Sequence, residues 1–356
     1  RSNLQYGASE SADAEGAAPL LAAAREYYDS VMDKAMAVEC LSWEIHVPYL
    51  LEEANALDFA EAALQRCRQL KPIPLMTEVR ILARIGGIHS FNRSWPAAVQ
   101  IYEDVVERLG PLRDLNRMAK IYNELATAYR EMGQPELAAR HAQKSIALHE
   151  MLRDQYMTAA SENNLALALM NMRNYTSAED HLDRSTEIFE NLGRDRGRGA
   201  LLLSYAELHL MRGRLDEAEK SGREALELAT RLDEGGTEAQ SHEWLGRIAA
   251  ARGDQQATDS EFELAIAKYA GLNLLERQIQ AHTTYAQILE DRGDVQSANQ
   301  HLRQVVSLNR PDLISQNSLE ERRRELAPTP SLPPAPPPPP ARTPPPPRAL
   351  LRPAPC

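Results

Sequence analysis

The sequence predicts an all-α protein, an α-solenoid of stacked antiparallel helix hairpins. Three observations carry that prediction. First, an apolar residue followed by a small one recurs every 40 residues, at Ile85–Gly86, Leu125–Ala126, Leu165–Ala166, Tyr205–Ala206, Leu245–Gly246 and Tyr285–Ala286. Second, two more fixed positions repeat in the same register: Ala98, Ala138, Ala178, Ala218, Thr258 and Ala298, then Val105, Ser145, Ser185, Ala225, Ala265 and Val305. Third, Ala and Leu dominate a chain with only 5% aromatic residues, which suits helices and not a β-sandwich or barrel.

Each unit reads as two amphipathic helices. In MAKIYNELATAYREMG (118–133), Ile121, Leu125, Ala126 and Tyr129 fall on one helical face, and Gly133 ends the helix. A second helix follows with Leu137, Ala138, Ala142, Ser145, Ile146 and Leu148. Small residues at the fixed positions let the helices approach closely. One hairpin cannot bury its own apolar face, so neighbours must stack.

Four regions follow along the 356 residues. Residues 1–16 are polar and are expected to be disordered. Residues 17–76 are expected to supply capping helices and a degenerate unit, whose second helix is LDFAEAALQRCRQL (57–70). Residues 77–318 hold six 40-residue units. Residues 319–356 comprise a charged helix end, LEERRREL (319–326), and a tail in which 15 of the 23 prolines lie between 328 and 355. Such a tail cannot donate a regular set of backbone hydrogen bonds and favours extended polyproline II, so it is expected to be disordered. Pro337–Arg342 matches P-x-x-P-x-R, a pattern that aromatic-lined grooves bind.

The pattern L/Y-[AG]-x2-Y/L…G-x4-A-x3-[YFL]-x2-A resembles the tetratricopeptide repeat over residues 77–308. The family's common unit has 34 residues. Here six more extend it, and the customary proline after the second helix is absent. The resemblance implies a right-handed superhelix. Forty-residue units of this kind occur in the sensor halves of bacterial transcription regulators and in some eukaryotic adaptors. The chain opens on Arg1 rather than Met and is read as a fragment; the resemblance implies a preceding DNA-binding or signalling domain.

Net charge is −11, and the tail from Ala327 onward carries three arginines and no acid, so the body is more acidic still. Direct nucleic-acid binding is therefore not expected. No apolar run is long enough to cross a membrane. The three cysteines, Cys40, Cys67 and Cys356, form no disulfide framework, which points to a reducing cytoplasm.

Signatures of catalysis are missing. The sequence contains no phosphate-binding loop, no dinucleotide fingerprint, no H-E-x-x-H and no nucleophile elbow. Cys40, His46 and Cys67 fit no zinc spacing. Neither an enzyme, a cofactor nor a metal is expected. The loop GRDRGRG (193–199) could grip a phosphate, but on an acidic body it reads better as a connector.

Binding is the better-supported function. In stacked repeats the first helix of each hairpin lines the concave groove. By register, Asn123, Arg130, Asn163, Asn164, Asn171, Ser204 and Arg247 are expected to bind an extended peptide or partner segment there, beside an apolar stretch of Leu167, Met170, Leu203 and Leu210. Asparagine offers a peptide backbone both a donor and an acceptor. The segment ENNLALAL (162–169) resembles the asparagine-bearing first helices of peptide-binding tetratricopeptide domains, which implies that role for Asn163 and Asn164 and, by register, Asn123. Ala83 and Gly87 stand where a chaperone-tail clamp needs Lys and Asn, so that ligand is not expected. The leading expectation is a non-catalytic sensor or scaffold of a bacterial regulator. An adaptor recruiting a second partner through its tail, or an accessory subunit of an enzyme complex, are the alternatives. The exposed end helices are expected to be capped internally or by self-association, with a homodimer favoured.

Overall fold

A computed structural model describes residues 7–45 and 56–309. Fifteen helices and no strand occur among them. Before the repeats come α1 (Gly7–Ser30), α2 (Lys34–Glu44) and α3 (Ala56–Gln69). The six hairpins are then α4 (Leu75–Phe91) with α5 (Trp95–Leu112), α6 (Leu115–Glu131) with α7 (Pro135–Met151), and α8 (Gln155–Asn171) with α9 (Tyr175–Leu192). They continue with α10 (Arg198–Met211) and α11 (Leu215–Arg231), α12 (Gly235–Arg252) and α13 (Gln255–Gly271), and α14 (Leu275–Asp291) and α15 (Val295–Leu308). His46, Cys356, the charged segment at 319–326 and the proline tail lie outside the described residues.

The 40-residue period divides into two near-equal halves. Left-handed backbone recurs at 93, 133, 173, 213, 253 and 293, and again at 113, 153, 193, 233 and 273. Glycine fills four of the first six positions, since it adopts positive φ without a Cβ penalty. Arg93 and Arg173 hold that conformation at a cost of about 1–2 kcal/mol each. The extra length over a 34-residue unit thus gives two helices of about five turns, joined mostly by turns of two or three residues. Side chains of Asp114, Asp154, Asn174 and Asp254 accept backbone N–H groups three residues ahead, capping α6, α8, α9 and α13.

The small positions lie where the sequence places them. Ala98, Ala138, Ala178, Ala218, Thr258 and Ala298 are all buried. Ser145 and Ser185 are buried too, because their hydroxyls donate to the carbonyls of Ala119 and Ala159 on the first helix of the same hairpin, each at 2.9 Å. Gly86 and Gly246 have a steric cause. A Cβ there would lie 2.5 Å from the Tyr102 ring and 2.7 Å from the Phe262 ring. Where the facing residue is smaller, as at Ala142, alanine (Ala126) takes the glycine's place.

Two expectations need correction. Helix α1 begins at Gly7, inside the segment expected to be disordered; Ala and Glu, good helix formers, make up much of ASESADAEGAA. Met170 and Leu203, expected on the groove wall, are buried at 0% and 4% exposure. Each sits on the edge of its helix that meets a neighbouring helix rather than the groove. Met170 joins a core with Leu182, Phe189 and Leu208.

Candidate peptide-binding face

First helices make up one row of the array. Helix α6 touches α8, and α10 touches both α8 and α12, so first helices of adjacent repeats meet directly. No pair of second helices makes a comparable contact among the described residues. The row of first helices is therefore the tighter, inner side. Its central register is Thr127, Leu167, Glu207, Arg247 and Gln287, all partly accessible.

Asn123 is not free for a ligand. It is buried, and its Oδ1 accepts from Ser161 Oγ at 3.2 Å and from Asn164 Nδ2 at 2.9 Å. Ser161 and Ser145 hydroxyls lie 2.9 Å apart, which extends this network into α7. The second and third repeats are thus joined by neutral hydrogen bonds. Asn164 spends an amide N–H on Asn123, which leaves its side-chain oxygen to accept from another group.

Asn163 occupies the place of Asn123 one repeat later, yet its buried Oδ1 has no partner. The register explains this. Leu201 stands where Ser161 stood, and Ser204 where Asn164 stood; Ser204 is buried and donates back to the Ala200 carbonyl at 3.2 Å. Asn171 is exposed at the end of α8. Arg130 pairs with Glu131 at 2.7 Å.

Arg247 joins the fifth repeat to the sixth. It pairs with Glu243 and donates to Thr284 Oγ1 at 3.3 Å, while its guanidinium lies 4.7 Å from the Trp244 ring. Its Nε is buried without a partner. Glu243 is held from the other side by the Tyr269 hydroxyl at 3.1 Å.

The register places Glu207 on the groove wall, but it is not among the residues expected to bind. Burial pushes its carboxyl above the usual carboxylate range, against the attraction of Arg130 and Arg247 and with repulsion from Glu131 adding to the rise. Charged groups from the second, fourth and fifth repeats thus act on one another across the inner side. The sequence signal was available, because Glu207 shares the register of Arg247, but nothing local distinguishes it from a solvated acid.

Other candidates are consumed by structure. In GRDRGRG, Asp195 pairs with Arg198 and with Arg231, and Arg196 faces Glu234, so the loop is an internally bonded connector. Polar pairs recur between the helices of a hairpin: Glu162 with His181 at 2.6 Å, His242 with Glu261 at 2.7 Å, and His282 with His301 at 2.8 Å. Cys40 and Cys67 are buried free thiols, and burial raises the Cys67 thiol to about 11. Among the described residues no three His, Cys, Asp or Glu side chains are grouped to hold a metal, and no helix is long and apolar enough to cross a membrane.

Comparison with known proteins fits this architecture. A tetratricopeptide-repeat family model matches residues 157–231, and another matches 118–153; neither model is of a catalytic family. No curated protein sequence matches the chain. Among solved structures, a Rap protein complexed with competence and sporulation factor is 14% identical, with a TM-score of 0.58 over 88% of this chain and 99% of that one. The Rap conjugation gene regulator of the plasmid pLS20, in complex with a Phr peptide, is 14% identical, with a TM-score of 0.55 over 88% of this chain and 98% of that one. Aspartyl phosphate phosphatase F from Bacillus subtilis is 12% identical, with a TM-score of 0.60 over 80% of this chain and 74% of that one. At these identities the likeness is one of fold. The two family models fall on consecutive stretches of one 40-residue register, so residues 118–231 are built of tetratricopeptide repeats, and the hairpins on either side keep the same register.

Proposed function

We propose that the inner row of first helices binds an extended peptide or partner segment, and that the array is the non-catalytic sensor or scaffold part of a bacterial regulator. The observation that carries this reading is the set of partly unmet polar groups on consecutive first helices: Asn163 Oδ1, the free carbonyl of Asn164, Arg247 Nε and the Glu207 carboxyl. Polar groups on a wall of helices stabilise the fold only when paired, so their unmet capacity is recognition chemistry for a ligand that supplies the partners. An extended peptide does so, because its backbone presents N–H and C=O groups at regular intervals. Two of the proteins of similar fold are described as complexes, one with competence and sporulation factor and one with a Phr peptide, and the second favours a peptide as the class of ligand. Buried, unpaired cysteines suit a reducing cytoplasm, and the acidic charge argues against direct nucleic-acid binding. A homodimer would cover the end helices.

The test begins with capture on the immobilised protein and mass spectrometry of retained peptides. Leu167→Glu, on the inner row, is expected to weaken retention at least tenfold. Lys220→Glu, on an outer helix and 78% exposed, is expected to leave it unchanged. Equal retention by both variants would move binding away from the inner face.

A further inference from the structure

Neighbouring first helices in this array bond to each other at sequence separations near 40, as in Asn123 with Asn164. A hydrogen bond of Arg93 departs from that rule. Arg93 Nη1 donates to Gln280 Oε1 at 3.1 Å across 187 residues, joining the turn of the first repeat to α14 of the sixth. The same guanidinium donates through Nη2 to Glu131 Oε2 of the second repeat at 3.0 Å and lies 5.6 Å from the Trp95 ring. Glu131 in turn pairs with Arg130. Arg93 therefore holds three repeats at once, and four intervening repeats arch between its two ends.

Its backbone adds a second observation. Arg93 has φ of +55°, at the turn position where four other repeats place glycine. The strained conformation persists although glycine would relieve it, and the arginine side chain makes a contact that no glycine could make.

We infer that Arg93 is a latch that joins the first repeat to the sixth across the inner face and restricts access to that face. The latch itself is independent of any ligand; its control of ligand access rests on the reading proposed above. A segment reaching Thr127, Leu167 or Glu207 from the side must part Arg93 from Gln280, whereas one threading along the row need not. The Arg93–Glu131 pair is partly exposed, with side chains 36% and 19% accessible, so salt screens it.

Arg93→Gly tests the latch without threatening the fold, because glycine is the favoured residue for that backbone. Arg173→Gly, at the same position of the third repeat, is the control. Spin labels at Asn92→Cys and Asp291→Cys, with Cys356→Ser, report the separation of the first and sixth repeats. The parent is expected to give one narrow distance distribution, Arg93→Gly a broader and longer one, and Arg173→Gly the parent's. A parent-like distribution in Arg93→Gly would overturn the latch. Access is read separately from the labelling rate of Thr127→Cys by a bulky polyethylene glycol maleimide. That rate is expected to rise severalfold with Arg93→Gly. An unchanged rate, with the distance distribution broadened, would overturn the claim that the latch controls access. Neither result bears on whether the inner face binds peptides, which the capture experiment decides.

Discussion

The second and fifth repeats solve the same packing problem in opposite ways. In the second, Ala126 faces a hairpin partner carrying Ala142, and the link to the next repeat is an amide network of Asn123, Ser161 and Asn164. In the fifth, Gly246 makes room for the Phe262 ring, and the link is ionic, through Arg247, Glu243 and Thr284. The register therefore specifies a summed volume and a place for a polar link, and leaves open which residues supply either. The two repeats differ in how much a substitution costs and in how they respond to salt and pH.

Truncating the large partner gives the largest expected effect. Phe262 is fully buried and stacks on Tyr285 with ring centroids 4.9 Å apart, so Phe262→Ala is expected to cost about 3–5 kcal/mol in chemical denaturation. Ala142→Gly in the second repeat is expected to cost only about 1 kcal/mol, chiefly from helix propensity. Equal costs would break the idea of complementary volumes.

Acid sharpens the contrast next. His282 packs against His301 in the sixth repeat with the rings tilted, and burial with that neighbour lowers it from 6.5 to about 4. A depressed histidine contributes stability that is complete above the unfolded value and is lost as pH falls towards the folded one. Roughly 3 kcal/mol is therefore expected to go between pH 6.5 and 4. His301 moves the same way, tempered by Glu263 and Asp259, and Tyr285 lies against its ring. Hydrogen exchange should show α14 and α15 opening first, with α7 next because burial also depresses His141 and His149. Uniform loss of protection across the array would contradict this order.

Overpacking and link removal follow. Gly246→Ala is expected to cost about 1–3 kcal/mol, since the new methyl meets an aromatic ring that has no room to retreat. Asn123→Ala is expected to cost about 1–3 kcal/mol independently of salt, because Ser161 and Asn164 lose a shared acceptor. Disrupting the ionic link with Glu243→Gln should cost less, and the difference from the parent should shrink in 1 M salt. Salt-insensitive destabilisation would show that packing, not charge, holds that link.

These outcomes also mark what the sequence discloses. Small residues every 40 positions and glycines at the turns identify the hairpins, since close helix approach and positive φ admit few alternatives. The groove was only partly legible. Asn163 and Asn164 are adjacent, yet Asn164 bonds across the repeat junction to Asn123 while the Asn163 oxygen has no partner, the two side chains lying about 100° apart around the helix. That rotation put Met170, Leu203 and Ser204 inside rather than on the wall. Arg93 with Gln280 was invisible, because a contact across 187 residues depends on rotation accumulated over four repeats and leaves no local pattern.

Asn163→Ala tests the central claim most directly. Its buried Oδ1 has no partner within the protein, so removing it should leave the melting temperature unchanged or slightly raised. If the inner row holds the ligand's backbone, calorimetric titration with a captured peptide should show affinity falling about tenfold, the equivalent of about 1.4 kcal/mol. An affinity equal to the parent's, with the fold intact by circular dichroism, would contradict binding at this face.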